Sequence, residues 1–259
     1  MSCFDLHIRH YPGDQSRPAI GLHCMMGSGG MFAPLAERIN GAVDLYAFDF
    51  PGHGRSPDWS FDEKIDLHTD VTRWAARMIS RPVDLIGHSF GATVALRIAV
   101  GVPEAIRSLT LIEPVLFAAA SETARQAEQD RLAGFIEAED WPGMLRRFLG
   151  DWGAAAPIPT EGPRAERLIR QVRMVVDTNA ALMEDRAQIL RENGLERIEA
   201  PVMFISGADS PSIVHEISDA LADRLPDVAR ATIPGAGHML PVTHPDQLAD
   251  LTMVNLDRS

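Results

Sequence analysis

Cysteine is scarce: Cys3 and Cys24 are the only two in 259 residues, too few for a disulfide framework or a structural zinc site, and both are expected to be reduced. Positive charge is also short. Against 36 Asp and Glu stand 24 Lys and Arg, a formal charge of −12, which argues against a sequence-independent grip on nucleic acid or an anionic membrane. No apolar run approaches the roughly 18 residues that a membrane-spanning helix needs. The opening stretch MSCFDLHIRH places Asp5, His7 and Arg9 where a secretory leader would be unbroken and apolar. A cytoplasmic protein with a small-molecule partner is the expectation, as monomer or homodimer, with no nucleic acid and no membrane. No GxGxxG or Walker loop occurs, and the nine histidines show no HExxH or paired Cys/His spacing. Neither a metal nor any other cofactor is therefore expected.

Hydrophobic residues make up 46% of the chain, enough to bury a full core in one elaborated domain. Apolar runs alternate with amphipathic helical patterns. CFDLHI alternates Phe4, Leu6 and Ile8 with polar residues and reads as an edge strand with one wet face. PAIGLHC (18–24), VDLYAFDF (43–50), VDLIG (83–87), SLTLIEPV (108–115), PVMFISG (201–207) and ARATIPG (229–235) are mostly apolar throughout, as strands buried on both faces of a parallel sheet should be. Helical stretches separate most of them. The pattern predicts an α/β fold with a doubly wound, mostly parallel sheet and a ligand crevice at the carboxyl ends of its strands. From Phe117 to Arg191 no convincing strand occurs, while three helical patterns do. Residues 117–191 are thus expected as an inserted helical cap on a core of 1–116 and 192–259.

Candidate chemistry gathers at the strand ends. Gly87-His88-Ser89-Phe90-Gly91 fits G-x-S-x-G, with a strand pattern before it and the apolar helical face of Val94, Ala95 and Ile98 after it. A nucleophilic serine there must sit on a sharp strand-to-helix turn, and the two glycines remove Cβ atoms that would collide. An alcohol needs a base. IPGAGHML supplies His238 on a glycine-rich loop after the last strand pattern.

Taken together these motifs resemble the α/β-hydrolase fold over nearly the whole length. His23-Cys24-Met25-Met26-Gly27 is similar to that family's HGxxG oxyanion loop, with Cys24 where glycine is usual. Asp49 to Ser56, DFPGHGRS, is similar to its D-x-P-G-x-G-x-S loop, and Ser89 and His238 match the elbow and GH motifs. The resemblance implies an oxyanion hole from the backbone amides of Met25 and Phe90, which does not depend on the neighbouring side chains. It also implies an acid that orients His238, in the chain order Ser, acid, His. Chain order favours Asp209 in SGADSP, although Asp209 lies two residues after Gly207 where the family's commoner spacing is three and Ser210 stands at the third. Glu113, at the end of the preceding strand pattern, is the alternative acid. His53 and Arg55 read as turn residues, and His88 as a residue packed beside the sheet.

The expected activity is that of a cofactor-free serine hydrolase cleaving a small or medium ester, thioester or lactone through an acyl-enzyme. The same triad on this fold supports C–C bond hydrolysis and perhydrolysis, and some members bind ligands without turnover. Cys24, Phe117, Trp141, Met144 and Phe148 are the candidate substrate-binding residues. Arg164, Arg167, Arg170 and Arg173 recur every third residue. That spacing smears them around a helix, so a solvated face is favoured over an anion site.

Overall fold

In the computed structural model, residues 6–59, 65–153 and 157–259 are described. Seven strands form one sheet: β1 (Ile8–Tyr11), β2 (Pro18–Leu22), β3 (Asp44–Phe48), β4 (Val83–His88), β5 (Ile106–Ile112), β6 (Val202–Gly207) and β7 (Val228–Ile233). Their order is β1-β3-β2-β4-β5-β6-β7. β1 runs antiparallel to β3, and every other pairing is parallel. The helices are α1 (Ala33–Arg38), α2 (Leu67–Arg77), α3 (Phe90–Gly101), α4 (Glu122–Glu137), α5 (Trp141–Trp152), α6 (Gly162–Met183), α7 (Ser212–Ala222), α8 (Leu240–Thr243) and α9 (Pro245–Leu256). None among the described residues is long and apolar enough to cross a membrane.

Alternation along the buried strands assigns the two layers. Ile20, Leu85, Leu111 and Phe204 face the core shared with α2, α3 and α7. Ala19, Ile86, Ile112 and Ile205 face the second core with α1, α8 and α9. Both faces of the sheet are covered, which is why these strands read as continuous apolar runs.

The edge strand differs from the sequence expectation. It runs from Ile8 to Tyr11 rather than ending at Ile8, and residues 1–5, with Cys3 and Phe4, lie outside the described residues. Leu6, just before the strand, packs against the first core as expected, but Ile8 faces outward, 49% exposed. Within the strand the inward anchor is Tyr11, which packs against the second core and whose hydroxyl donates to the Gly29 carbonyl at 3.1 Å.

Between β5 and β6 the chain forms α4, α5 and α6. Ser121 caps α4 by accepting from the Ala124 amide, and Asp140 caps α5 by accepting from that of Gly143 at 2.8 Å, with Pro142 in its first turn. Such oxygens satisfy amides that have no partner within the helix. The three helices share a small core of Leu132, Met144, Leu145 and Val172.

Candidate active site

Ser89 sits between β4 and α3 with φ 57° and ψ −119°, the left-handed strain of a sharp turn. Its neighbours leave no choice of residue. A Cβ on Gly91 would come within 2.1 Å of the Leu22 carbonyl oxygen, and one on Gly87 within 2.6 Å of the Ala92 Cα. The turn is held at its base by the Ser89 amide, which donates to the Ile112 carbonyl at 2.8 Å.

His238 lies between Ser89 and Glu113. Its Nε2 is 2.9 Å from Ser89 Oγ and its Nδ1 2.7 Å from Glu113 Oε2. A carboxylate offers only acceptors, so Nδ1 carries the ring proton and Nε2 accepts from the serine hydroxyl. Glu113 is fully buried, and its other oxygen, Oε1, accepts from the Gly207 amide and the Ser210 hydroxyl, each at 2.6 Å. A buried carboxylate is tolerable when its lone pairs are met in this way.

Asp209 does not reach the ring. It is exposed, and its amide donates to the Ala236 carbonyl at 2.9 Å. The expectation that chain order would select Asp209 is corrected here: Glu113, offered as the alternative, is the carboxylate against His238. The shortened loop after Gly207 explains the exchange. Ser210, standing at the third position, turns its hydroxyl to Glu113, so this loop supports the acid instead of supplying one.

Other histidines build the frame. His88 donates from Nε2 to the His238 carbonyl at 2.9 Å and packs its ring 4.9 Å from that of His238, fixing the loop that carries it. Nothing in the sequence distinguishes that role from simple packing. His23 donates from Nδ1 to the Cys24 carbonyl at 2.7 Å and accepts at Nε2 from the Phe50 amide at 2.9 Å, so it is neutral. Burial, with His53 nearby, holds it well below the ordinary imidazole range, and burial beside His238 does the same to His88. Burial also brings His53 and His68 down to about 4. Asp49 accepts from the Gly29 amide at 2.7 Å and the Arg55 amide at 2.8 Å, tying the loop after β2 to the loop after β3.

Met25 and Phe90 lie beside Ser89 in the same cavity. Phe90 is the first residue of α3, where an amide has no partner within its own helix. The Met25 amide donates to no protein acceptor among the described residues. Cys24 also faces the cavity. Its thiol is free and buried, and burial pushes its pKa up to about 12, which leaves it protonated and unreactive.

The cavity measures about 480 Å³ and lies between these loops and the inserted helices. Phe117 and Phe148 line it, as expected, whereas Trp141 and Met144 do not. Met144 is fully buried in the core among α4, α5 and α6, and Trp141 lies under the Arg173 guanidinium at 4.6 Å. Both fail for one reason: the apolar stripe of α5 serves its neighbouring helices before it serves a ligand. Trp152, at the end of α5, does reach the site, its ring 4.8 Å from His238 and nearly perpendicular to it. Among the described residues no group of three or more His, Cys, Asp or Glu is placed to hold a metal ion.

The model of the alpha/beta hydrolase family matches residues 20–251. The chain belongs to that family. A pimeloyl-[acyl-carrier protein] methyl ester esterase of Xanthomonas campestris is 28% identical to this alpha/beta hydrolase over 88% of the chain and 90% of its own length. An (E)-2-((N-methylformamido)methylene)succinate hydrolase of Acinetobacter baylyi is 22% identical, covering 92% of this chain and 90% of its own. The fold is shared with the crystal structure of a hydrolase from Pseudomonas aeruginosa, with a TM-score of 0.71, 22% identity and coverage of 97% of this chain and 94% of that one.

Proposed function

We propose that the protein is a serine hydrolase that cleaves a small or medium carboxylic ester through an acyl-enzyme, thioesters and lactones being related substrates of the same chemistry. The observation that carries this reading is the unbroken contact from Ser89 Oγ through His238 to Glu113, at 2.9 and 2.7 Å, with Ser89 and His238 lining the cavity. Membership of a hydrolase family and a relative named as a methyl ester esterase support it.

The steps follow from the atoms present. Ser89 Oγ attacks the carbonyl carbon as its proton passes to His238 Nε2, and the Met25 and Phe90 amides hold the negative oxygen of the tetrahedral intermediate. Glu113 keeps the ring proton on Nδ1 and stabilises the imidazolium that forms. Collapse of the intermediate transfers the Nε2 proton to the leaving alcohol and leaves Ser89 acylated. Water, deprotonated by His238, then attacks the acyl carbon, and collapse releases the acid and the Ser89 hydroxyl. Residues 117–191 act as a cap, with Phe117, Phe148 and Cys24 among the groups that shape the substrate site.

A fluorophosphonate probe tests the nucleophile. Covalent labelling of the native chain, lost in Ser89→Ala together with at least about a thousandfold of p-nitrophenyl ester turnover, is the expected result. Folded native protein that resists the probe would falsify the proposal.

A further inference from the structure

The charged side chains that line the cavity, apart from His238, carry one sign. Glu128 and Glu137 of α4 face it, and among the described residues no Lys or Arg does. The nearby guanidinium groups are either paired or lie outside the wall. Arg131 binds both Glu128 and Asp151, and Arg147 also pairs with Asp151, so Glu128 belongs to a balanced group of two carboxylates and two cations. Arg173 lies over Trp141, Arg164 and Arg170 are exposed on α6, and Arg125, one turn before the lining segment of α4, is half-buried outside the wall, its Nε without a hydrogen-bond partner among the described residues.

Glu137 is different. It forms no ion pair among the described residues, and it is the last residue of α4, where the helix end adds partial negative charge of its own. The wall inward from it is apolar, with Leu132, Phe148, Val176 and Leu182. The hydroxyl of Thr178, also on the wall, is taken up by the Met174 carbonyl at 2.7 Å. Asn179 adds a neutral amide. A carboxylate entering this space would shed water, find no cation in the wall and face a like charge, each of which disfavours it. The chain's charge of −12 opposes its approach as well.

Resting on the serine-hydrolase reading above, we propose that the site is selective for esters that carry no negative charge on either half, mainly aliphatic in character, and that Glu137 is a specificity-determining residue that turns anionic esters away. A neutral chain gains from the apolar wall, whereas a half-ester of a dicarboxylic acid loses its solvation there without compensation.

The test compares two substrates of equal length, p-nitrophenyl hexanoate and the mono-p-nitrophenyl ester of hexanedioic acid, which differ only in the terminal carboxylate. The native enzyme is expected to favour the hexanoate by about a hundredfold or more in kcat/KM, which is about 2.7 kcal/mol at 1.36 kcal/mol per tenfold. Glu137→Gln narrows that ratio several-fold and Glu137→Lys tenfold or more. Added salt narrows it for the native enzyme, since an exposed charge is screened. Position 137 is exposed, so both variants should fold, which circular dichroism checks. Equal use of the two esters by the native enzyme overturns the proposal, as does a ratio that neither substitution moves. If the fluorophosphonate probe fails to label Ser89 and neither ester is cleaved, the hydrolase reading itself falls. A labelled enzyme that takes the half-ester freely refutes charge selection alone.

Discussion

The two walls of the cavity are built on different physical terms. At the strand ends Ser89, His238, Glu113, Gly207 and Ser210 form one hydrogen-bonded series, with His88 holding the His238 carbonyl from behind. Across the cavity, α4, α5 and α6 present a mainly apolar face, with Leu132, Phe148, Val176 and Leu182 beside the carboxylates of Glu128 and Glu137. Proton transfer needs atoms placed within hydrogen-bond reach, so the first wall is rigid and over-determined. An aliphatic group needs only shape and dryness, so the second wall can vary without touching the chemistry.

The largest effect is expected at the acid. Glu113→Gln removes the charge that stabilises the His238 imidazolium, and kcat should fall by roughly 10³- to 10⁴-fold. Asp209→Asn should leave steady-state ester hydrolysis within about twofold, and the reverse ranking of the two variants would return Asp209 to the triad.

Acid should act through the core that carries the strand-end wall, since residues 117–191 contain no histidine. His53 and His68, neutral and buried in the fold, stay unprotonated down to about 4, while in the unfolded chain they take up protons near 6.5. The unfolded state therefore binds more protons below that value. Stability is fully present above about pH 6.5 and falls as pH drops toward 4, by about 3 kcal/mol for each of the two at the lower limit. His23 and His88, shifted the same way, steepen the loss. Thermal unfolding between pH 7 and pH 4 measures it, and His68→Asn should flatten the slope.

On the helical wall, Leu132→Ala enlarges the cavity and opens the small core it shares with Met144. About 2–3 kcal/mol of stability should go, and KM for hexanoate esters should rise several-fold while kcat moves little. A large fall in kcat with unchanged KM would mean that the two walls are not separable. The smallest effect belongs to Arg170→Ala on the outer face of α6, expected within about 0.5 kcal/mol by chemical denaturation.

Much of the sheet was legible because its strands are buried on both faces and stand out as short apolar runs between helical patterns. β2 and β4 begin at the expected residues, and β6 lies within its expected run. β1 was not, since an edge strand with one wet face carries a weak alternating signal and Tyr11, beyond the expected span, is its inward anchor. Phe117 and Phe148 were recognisable as cavity residues, whereas Trp141 and Met144 had the same apolar character and a different destination. Helical periodicity shows which side of a helix is buried, but it does not tell a ligand from a neighbouring helix. Trp152, of the same apolar character, does reach the cavity, while Glu137 lines it through the placement of α4, which no local pattern encodes.

The elbow at Ser89 and the loop at His238 are local: glycines where a Cβ would collide, a strand before, a helix or bend after. The partner of His238 was decided only in three dimensions. Glu113 stands 125 residues away in the chain and meets the ring because β5 ends beside β6, with Ile112 opposite Ile205, which aims the Gly207 amide and the Ser210 hydroxyl at one carboxylate. Motif spacing fixes which residues a turn brings together, whereas strand register fixes which turns meet.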